Sequence, residues 1–223
     1  MGLSEPQAHS IDTVVEHYVR GWHQKCGPLN IDPVRFEVRT SLQCPQPFLP
    51  YPAYRALSEV LDHLTENAMW AMSKIVWEDL DELFAKYTPA APGGIQYTTA
   101  VDGDRAVLRV SDTGCGMNPD VFGIQASVPW HDSTGRTQDE YLVAQLNLRA
   151  FSYEVSTKGT SGCGLGISEN IVERLGGRIF ISGTTYEHDG RLCTIGEHNP
   201  DQSGTTITIR LPFDSRPPLY VID

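Results

Sequence analysis

The sequence predicts an α/β two-layer sandwich: a mixed, mostly antiparallel sheet with three main helices on one face. Three observations predict it. Ile95 to Val101 and Arg105 to Ser111 each alternate apolar with polar residues and are joined by Asp102-Gly103-Asp104, the pattern of a β-hairpin. Ala53 to Ser73 repeats its apolar residues at helical spacing. A glycine-rich turn opens another helix from Leu165 to Leu175, and three further strand-like stretches follow it.

The elements follow in order along the chain. Ile11, Val14, Val15, Tyr18 and Trp22 recur at helical spacing, with Ser10 or Asp12 placed to cap the start and Gly27-Pro28 beyond the end. Val34, Phe36 and Val38 alternate with Arg35, Glu37 and Arg39, which predicts a half-buried strand. A proline-rich connector, Pro45 to Pro52, leads to the Ala53 to Ser73 helix. On that helix Leu57, Val60, Leu61, Leu64, Ala68, Ala71 and Met72 share one arc, and Glu59, Asp62, His63, Glu66 and Asn67 the other. Taken alone, the polar arc is an ordinary solvated face.

Pro89, Pro92, Gly93 and Gly94 mark the loop before the hairpin. Asn118 to Ser161 is polar and irregular apart from a helix predicted from Gln138 to Phe151, and a connection this long is expected to be a functional lid. Gly176-Gly177 ends the later helix, and strands are predicted at Arg178 to Ser182, Arg191 to Ile195 and Thr205 to Leu211. The expected organisation is a helical segment over 1–33, a main domain over 34–213 with its lid at about 118–161, and an extended tail over 214–223.

The chain has 223 residues, 40% hydrophobic and 20% charged, enough to bury one full core. No apolar run approaches a bilayer span and the N-terminus lacks a signal-peptide pattern, so membrane contact is not expected and a cytoplasmic setting is. Five cysteines without a CxxC pair form neither a disulfide framework nor a zinc ligand set. A net charge of −11 with scattered Lys and Arg argues against nucleic acid as a partner. An anionic ligand would need backbone N–H groups, a metal ion or a few local cations, which directs attention to the glycine-rich loops.

Asp112 comes directly off a strand with Gly114 and Gly116 behind it, and Gly162 to Gly166 opens a helix. Each is weak evidence alone, since glycines spaced by one residue often mark only a tight turn. In this order, from Phe36 to Pro212, the sequence resembles the ATP-binding catalytic domain of histidine kinases, in the superfamily that also holds DNA gyrase, the Hsp90 chaperones, MutL and the mitochondrial dehydrogenase kinases. VLDHLTENAMWAM looks like the N box, DTGCGM like the G1 box, SGCGLGISENIVERLGGRIFIS like the G2 box and its helix, and GTTITIRLP like the closing strand.

The resemblance implies a Bergerat-type fold that binds ATP with Mg²⁺. Asp112 would accept a hydrogen bond from the adenine amino group, Gly114 and Gly116 would let the backbone approach the base, and Ala71, Met117 and Thr206 would line the nucleotide. Asn67 would hold Mg²⁺. The N–H groups of Gly164, Leu165 and Gly166, with Gly162 before them, would face the phosphates at a helix N-terminus, and Lys158 would supply a cation, against the simpler reading of an exposed lysine. His63, Glu66 and Asn67 are the residues implied in catalysis. Cys115 and Cys163, within the two glycine boxes, fill tight turns or act as a thiol switch.

Two departures shape the expected function. Relatives that hydrolyse ATP with water carry glutamate where this chain has His63, and many histidine kinases carry asparagine there. No phosphoacceptor histidine box is recognisable around His9, His17 or His23. The implied activity is therefore that of a histidine-kinase-type protein kinase whose acceptor is another protein or domain, with a homodimer through the N-terminal helix among the expectations. The alternatives are an ATP-driven conformational switch or slow ATPase, a binding module without turnover, and a serine kinase, which FSYEVST suggests by its likeness to the mitochondrial dehydrogenase kinases.

Overall fold

The computed structural model describes residues 8–21, 36–46, 48–77, 93–125, 136–152 and 164–213. Its helices are α1 (Ile11–Arg20), α2 (Tyr51–Trp77), α3 (Gln138–Ala150) and α4 (Gly164–Arg174). Its strands are β1 (Phe36–Ser41), β2 (Gly93–Asp102), β3 (Arg105–Asp112), β4 (Arg178–His188), β5 (Arg191–Gly196) and β6 (Gly204–Pro212). They form one six-stranded sheet in the order β1-β2-β3-β6-β4-β5. Only β1 and β2 run parallel, and α2 supplies the crossover that a parallel pair requires. The predicted α/β sandwich with a mixed, mostly antiparallel sheet is the observed architecture.

The core lies between one sheet face and the helices. Ile95 and Tyr97 of β2, Ala106, Leu108 and Val110 of β3 and Ile207, Ile209 and Leu211 of β6 point into it at alternate positions. From α2 it receives Leu57, Val60, Leu61, Leu64, Ala68 and Met72, the predicted apolar arc less Ala71, which stays half-buried on the other side with His63 and Asn67. The alternation breaks once. Ile179 and Ile181 face the core, and a register shift between Ile181 and Gly183 moves the inward positions to Thr184 and Tyr186.

The N-terminal helix is built into this core. Ser10 caps α1 by accepting from the Thr13 N–H, and Ile11, Val14, Val15 and Tyr18 are buried. Asp12 accepts from the Cys44 N–H and from the Thr99 hydroxyl, fastening α1 to the main domain. The helix ends at Arg20, and Trp22 lies outside the described residues. A homodimer through α1 would have to use its polar side, because the apolar side is spent within the chain.

Within the stretch 118–161, expected as a lid, one helix is rooted in the core. Thr137 and Glu140 form a capping box that starts α3, whose Leu142, Leu146 and Ala150 enter the core. The Asn147 side chain accepts from the Ile181 N–H at 2.7 Å and donates to the Ile181 carbonyl at 3.0 Å. It thereby occupies β4 where β5 does not reach, since β5 pairs only from Gly183 onward. A helix so anchored belongs to the body of the fold. Of the remainder, 118–125 is described and sends Ile124 into the core, while 126–135 and 153–161 lie outside the described residues.

Candidate functional site

His63, Asn67 and Ala71 follow one another at intervals of four on α2, so they form a single stripe along one side of the helix. Leu64 and Ala68, on the opposite side, root the stripe in the core. Glu66 is exposed, next to the stripe.

The loop after β3 meets the far end of that stripe. A Cβ on Gly114 would stand 2.6 Å from the Ala71 Cβ, so no other residue fits there without moving the helix. Gly116 has a φ of +70° and presses on the Thr185 carbonyl where a side chain would collide. Beyond it, the Met117 N–H donates to Thr184 Oγ1 at 2.7 Å.

Asp112 sits at the end of β3, its Oδ1 accepting from the Gly114 N–H at 2.8 Å. The Thr205 N–H donates to the same carboxylate. Part of the residue stays open to solvent. The carboxyl itself is enclosed, and burial pushes it up to about 7 against the pull of both donors. A group so placed is an acceptor that switches near neutrality.

The first residue of α4 meets the other end of the stripe. A Cβ on Gly164 would lie 3.8 Å from Asn67 Nδ2 and 3.8 Å from His63 Nδ1, ordinary contact with nothing interposed. The opening N–H groups of α4 carry the positive end of its dipole. They stand beside Asn67, with Leu165 half-buried and Gly166 buried. Ser168 donates to the Gly164 carbonyl at 2.9 Å, which holds this first turn in place. His63 Nε2 is buried without a hydrogen-bond partner. One side of α2 thus joins a strand-end carboxylate, a glycine turn and a helix N-terminus.

Thr206 does not join them. Its hydroxyl bonds Ser111 Oγ at 2.9 Å and His198 Nδ1 at 2.8 Å. Ser111 pairs with Thr206 across β3 and β6, which sets Asp112 against Thr205. Side chains alternate along a strand, so Thr205 shares the Asp112 face and Thr206 points through the sheet to the other. Thr205 and Thr184 are the residues that sequence reasoning missed. The pairing of Asp112 with the strand after Gly204 is the signal that identifies the first; a bulge hides the second. Lys158, Gly162 and Cys163 lie outside the described residues.

The donor set suits a hard cation shared with phosphate oxygens. Among the described residues no group of three His, Cys, Asp or Glu could enclose a metal by itself. Asn67, whose amide lies beside the helix N-terminus, carries one neutral oxygen that could serve as a ligand, the kind of sparse protein ligation that Mg²⁺ accepts when phosphates complete its shell.

A family model described as histidine kinase-, DNA gyrase B-, and HSP90-like ATPase matches residues 53–215. No curated protein matches the chain. Among solved structures, the mycobacterial sensor histidine kinase MprB aligns with a TM-score of 0.50 at 15% identity, over 91% of this chain and 94% of its own. The Acinetobacter baumannii histidine kinase AdeS aligns with a TM-score of 0.47 at 16% identity, over 93% of this chain and 66% of its own. At 15% identity the likeness to MprB is one of fold.

Proposed function

This chain belongs to the histidine kinase-, DNA gyrase B-, and HSP90-like ATPase family, and from that membership we propose that it is the ATP- and Mg²⁺-binding catalytic domain of a histidine-kinase-type protein kinase. The observation that carries the proposal is the convergence of Asn67, Asp112 and Gly164 on one side of α2. In this reading Asp112 accepts a hydrogen bond from the adenine amino group, with Thr205 beside it. Asn67 offers its side-chain oxygen to the metal, and the N–H groups at the start of α4 face the phosphates. Mg²⁺ held by Asn67 would supply neutralisation of the phosphate charge. The chain's own contribution is position and a fixed dipole, which orient the γ-phosphoryl group for transfer to a side chain of another protein or domain.

A cytoplasmic setting accompanies this reading, and no described helix is long and apolar enough to cross a membrane. Incubation with γ-labelled ATP, alone and with candidate acceptor proteins, tests it. Label retained on protein supports the kinase; release as free phosphate alone favours the alternative.

That alternative is an ATP-driven switch that hydrolyses slowly, and one observation favours it: the His63 imidazole lies beside Asn67 and Gly164. A histidine there is placed to take a proton from a water held at the phosphate end of the site. His63→Asn separates the two. It abolishes hydrolysis in a water-activating enzyme and leaves phosphotransfer intact in a kinase.

A further inference from the structure

Thr184 is fully buried, and its single hydroxyl is engaged on both sides. Its one proton goes to the Gly204 carbonyl at 2.9 Å, and its oxygen accepts the Met117 N–H at 2.7 Å. Thr205 Oγ1 lies 3.5 Å away. Met117 closes the glycine turn that begins at Asp112, and Gly204 opens β6 against the Asp112 backbone. One hydroxyl therefore ties together the two main-chain segments that flank the Asp112 carboxylate. It reaches this place only through the register shift between Ile181 and Gly183, which turns Thr184 inward.

We infer that Thr184 is a positioning residue for base recognition: its hydroxyl bridge between Met117 and Gly204 fixes the distance and angle at which Asp112 and Thr205 meet an adenine ring. This rests on the reading of the site as an ATP site and deepens it. The bridge touches neither Asn67 nor the start of α4, so it governs the base end of the nucleotide and not the phosphate end.

Valine matches threonine in shape and deletes both bonds, leaving the Met117 N–H and the Gly204 carbonyl without a partner. Serine keeps the hydroxyl. Calorimetric titration of wild type, Thr184→Val and Thr184→Ser with Mg-ATP, Mg-GTP and Mg-tripolyphosphate tests the inference. In Thr184→Val, ATP affinity is expected to fall about tenfold and the ATP-to-GTP ratio to approach one, with tripolyphosphate binding unchanged. Thr184→Ser is expected to restore the wild-type ratio. A ratio unchanged in Thr184→Val, or a loss equal for ATP and tripolyphosphate, overturns the positioning role alone. Failure of the wild type to bind ATP overturns the site reading as well. Should the valine variant not fold, Thr184→Cys weakens both bonds without deleting them, and an intermediate ratio is expected; a wild-type ratio overturns the inference.

Discussion

A Cβ on Gly114 would stand 2.6 Å from the Cβ of Ala71, which presses the turn after β3 against α2 one helical turn beyond Asn67. One helix thereby holds the Asp112 turn and the start of α4, the base and phosphate ends of the proposed site, at a fixed separation. Gly114→Ala is expected to force them apart, costing about 1–3 kcal/mol of stability by overpacking and most of the nucleotide affinity. Gly164→Ala meets only ordinary contacts, 3.8 Å at the nearest. It should fold at least as well as wild type. Thermal melts of the two variants check the contrast, and equal destabilisation would contradict it.

Asp112 makes the site pH-dependent. Burial raises its carboxyl to about 7, so the folded state holds the proton more tightly than the unfolded chain does. That contribution to stability is complete below the ordinary carboxylate range and is lost as pH rises through about 7. The ligand-free melting temperature should therefore fall from about pH 5 to about pH 8 in wild type and less so in Asp112→Asn. At about pH 8 the variant should melt higher, by about 2–4 °C for each kcal/mol recovered. ATP affinity should move the other way in wild type, rising with pH as the carboxylate forms. Parallel melting curves for the two proteins would remove the buried charge from the account.

Asn67→Ala should weaken Mg-ATP binding at least tenfold while leaving adenosine nearly unaffected, because Asn67 lies beside the start of α4, whereas the turn that carries Asp112 meets the helix at Ala71, one turn further on. Paired titrations read this directly. Equal losses for both ligands would make Asn67 a support for the fold.

Asn147 seals the β4 edge with two hydrogen bonds to Ile181. Asn147→Ala leaves a main-chain donor and acceptor unpaired and should cost about 2 kcal/mol in denaturant unfolding. No measurable cost would detach α3 from the body of the fold.

The long amphipathic α2, the hairpin and the glycine turns were legible because each depends on local pattern: helical spacing from Leu57 to Met72, alternation in Ile95 to Ser111, and glycines where backbones meet. Thr206 lies on the face away from Asp112 because strand side chains alternate, and a difference of one residue crosses the sheet. The inward place of Thr184 was illegible for a related reason. The bulge after Ile181 inverts the alternation, and nothing in Ile-Ser-Gly-Thr-Thr announces where it falls. The integration of α3 was missed because only Leu142, Leu146 and Ala150 among its residues are buried, too sparse a stripe to outweigh its polar composition.

The central claim is that Asp112 reads adenine in a site completed by Asn67 and the start of α4. Calorimetric titration of wild type and Asp112→Asn with Mg-ATP and Mg-GTP at about pH 8, where the carboxylate is formed, tests it most directly. The account predicts that wild type binds ATP at least tenfold more tightly than GTP and that Asp112→Asn loses this preference along with most of its ATP affinity. Equal binding of the two nucleotides by wild type, or an unchanged preference in the variant, would contradict it.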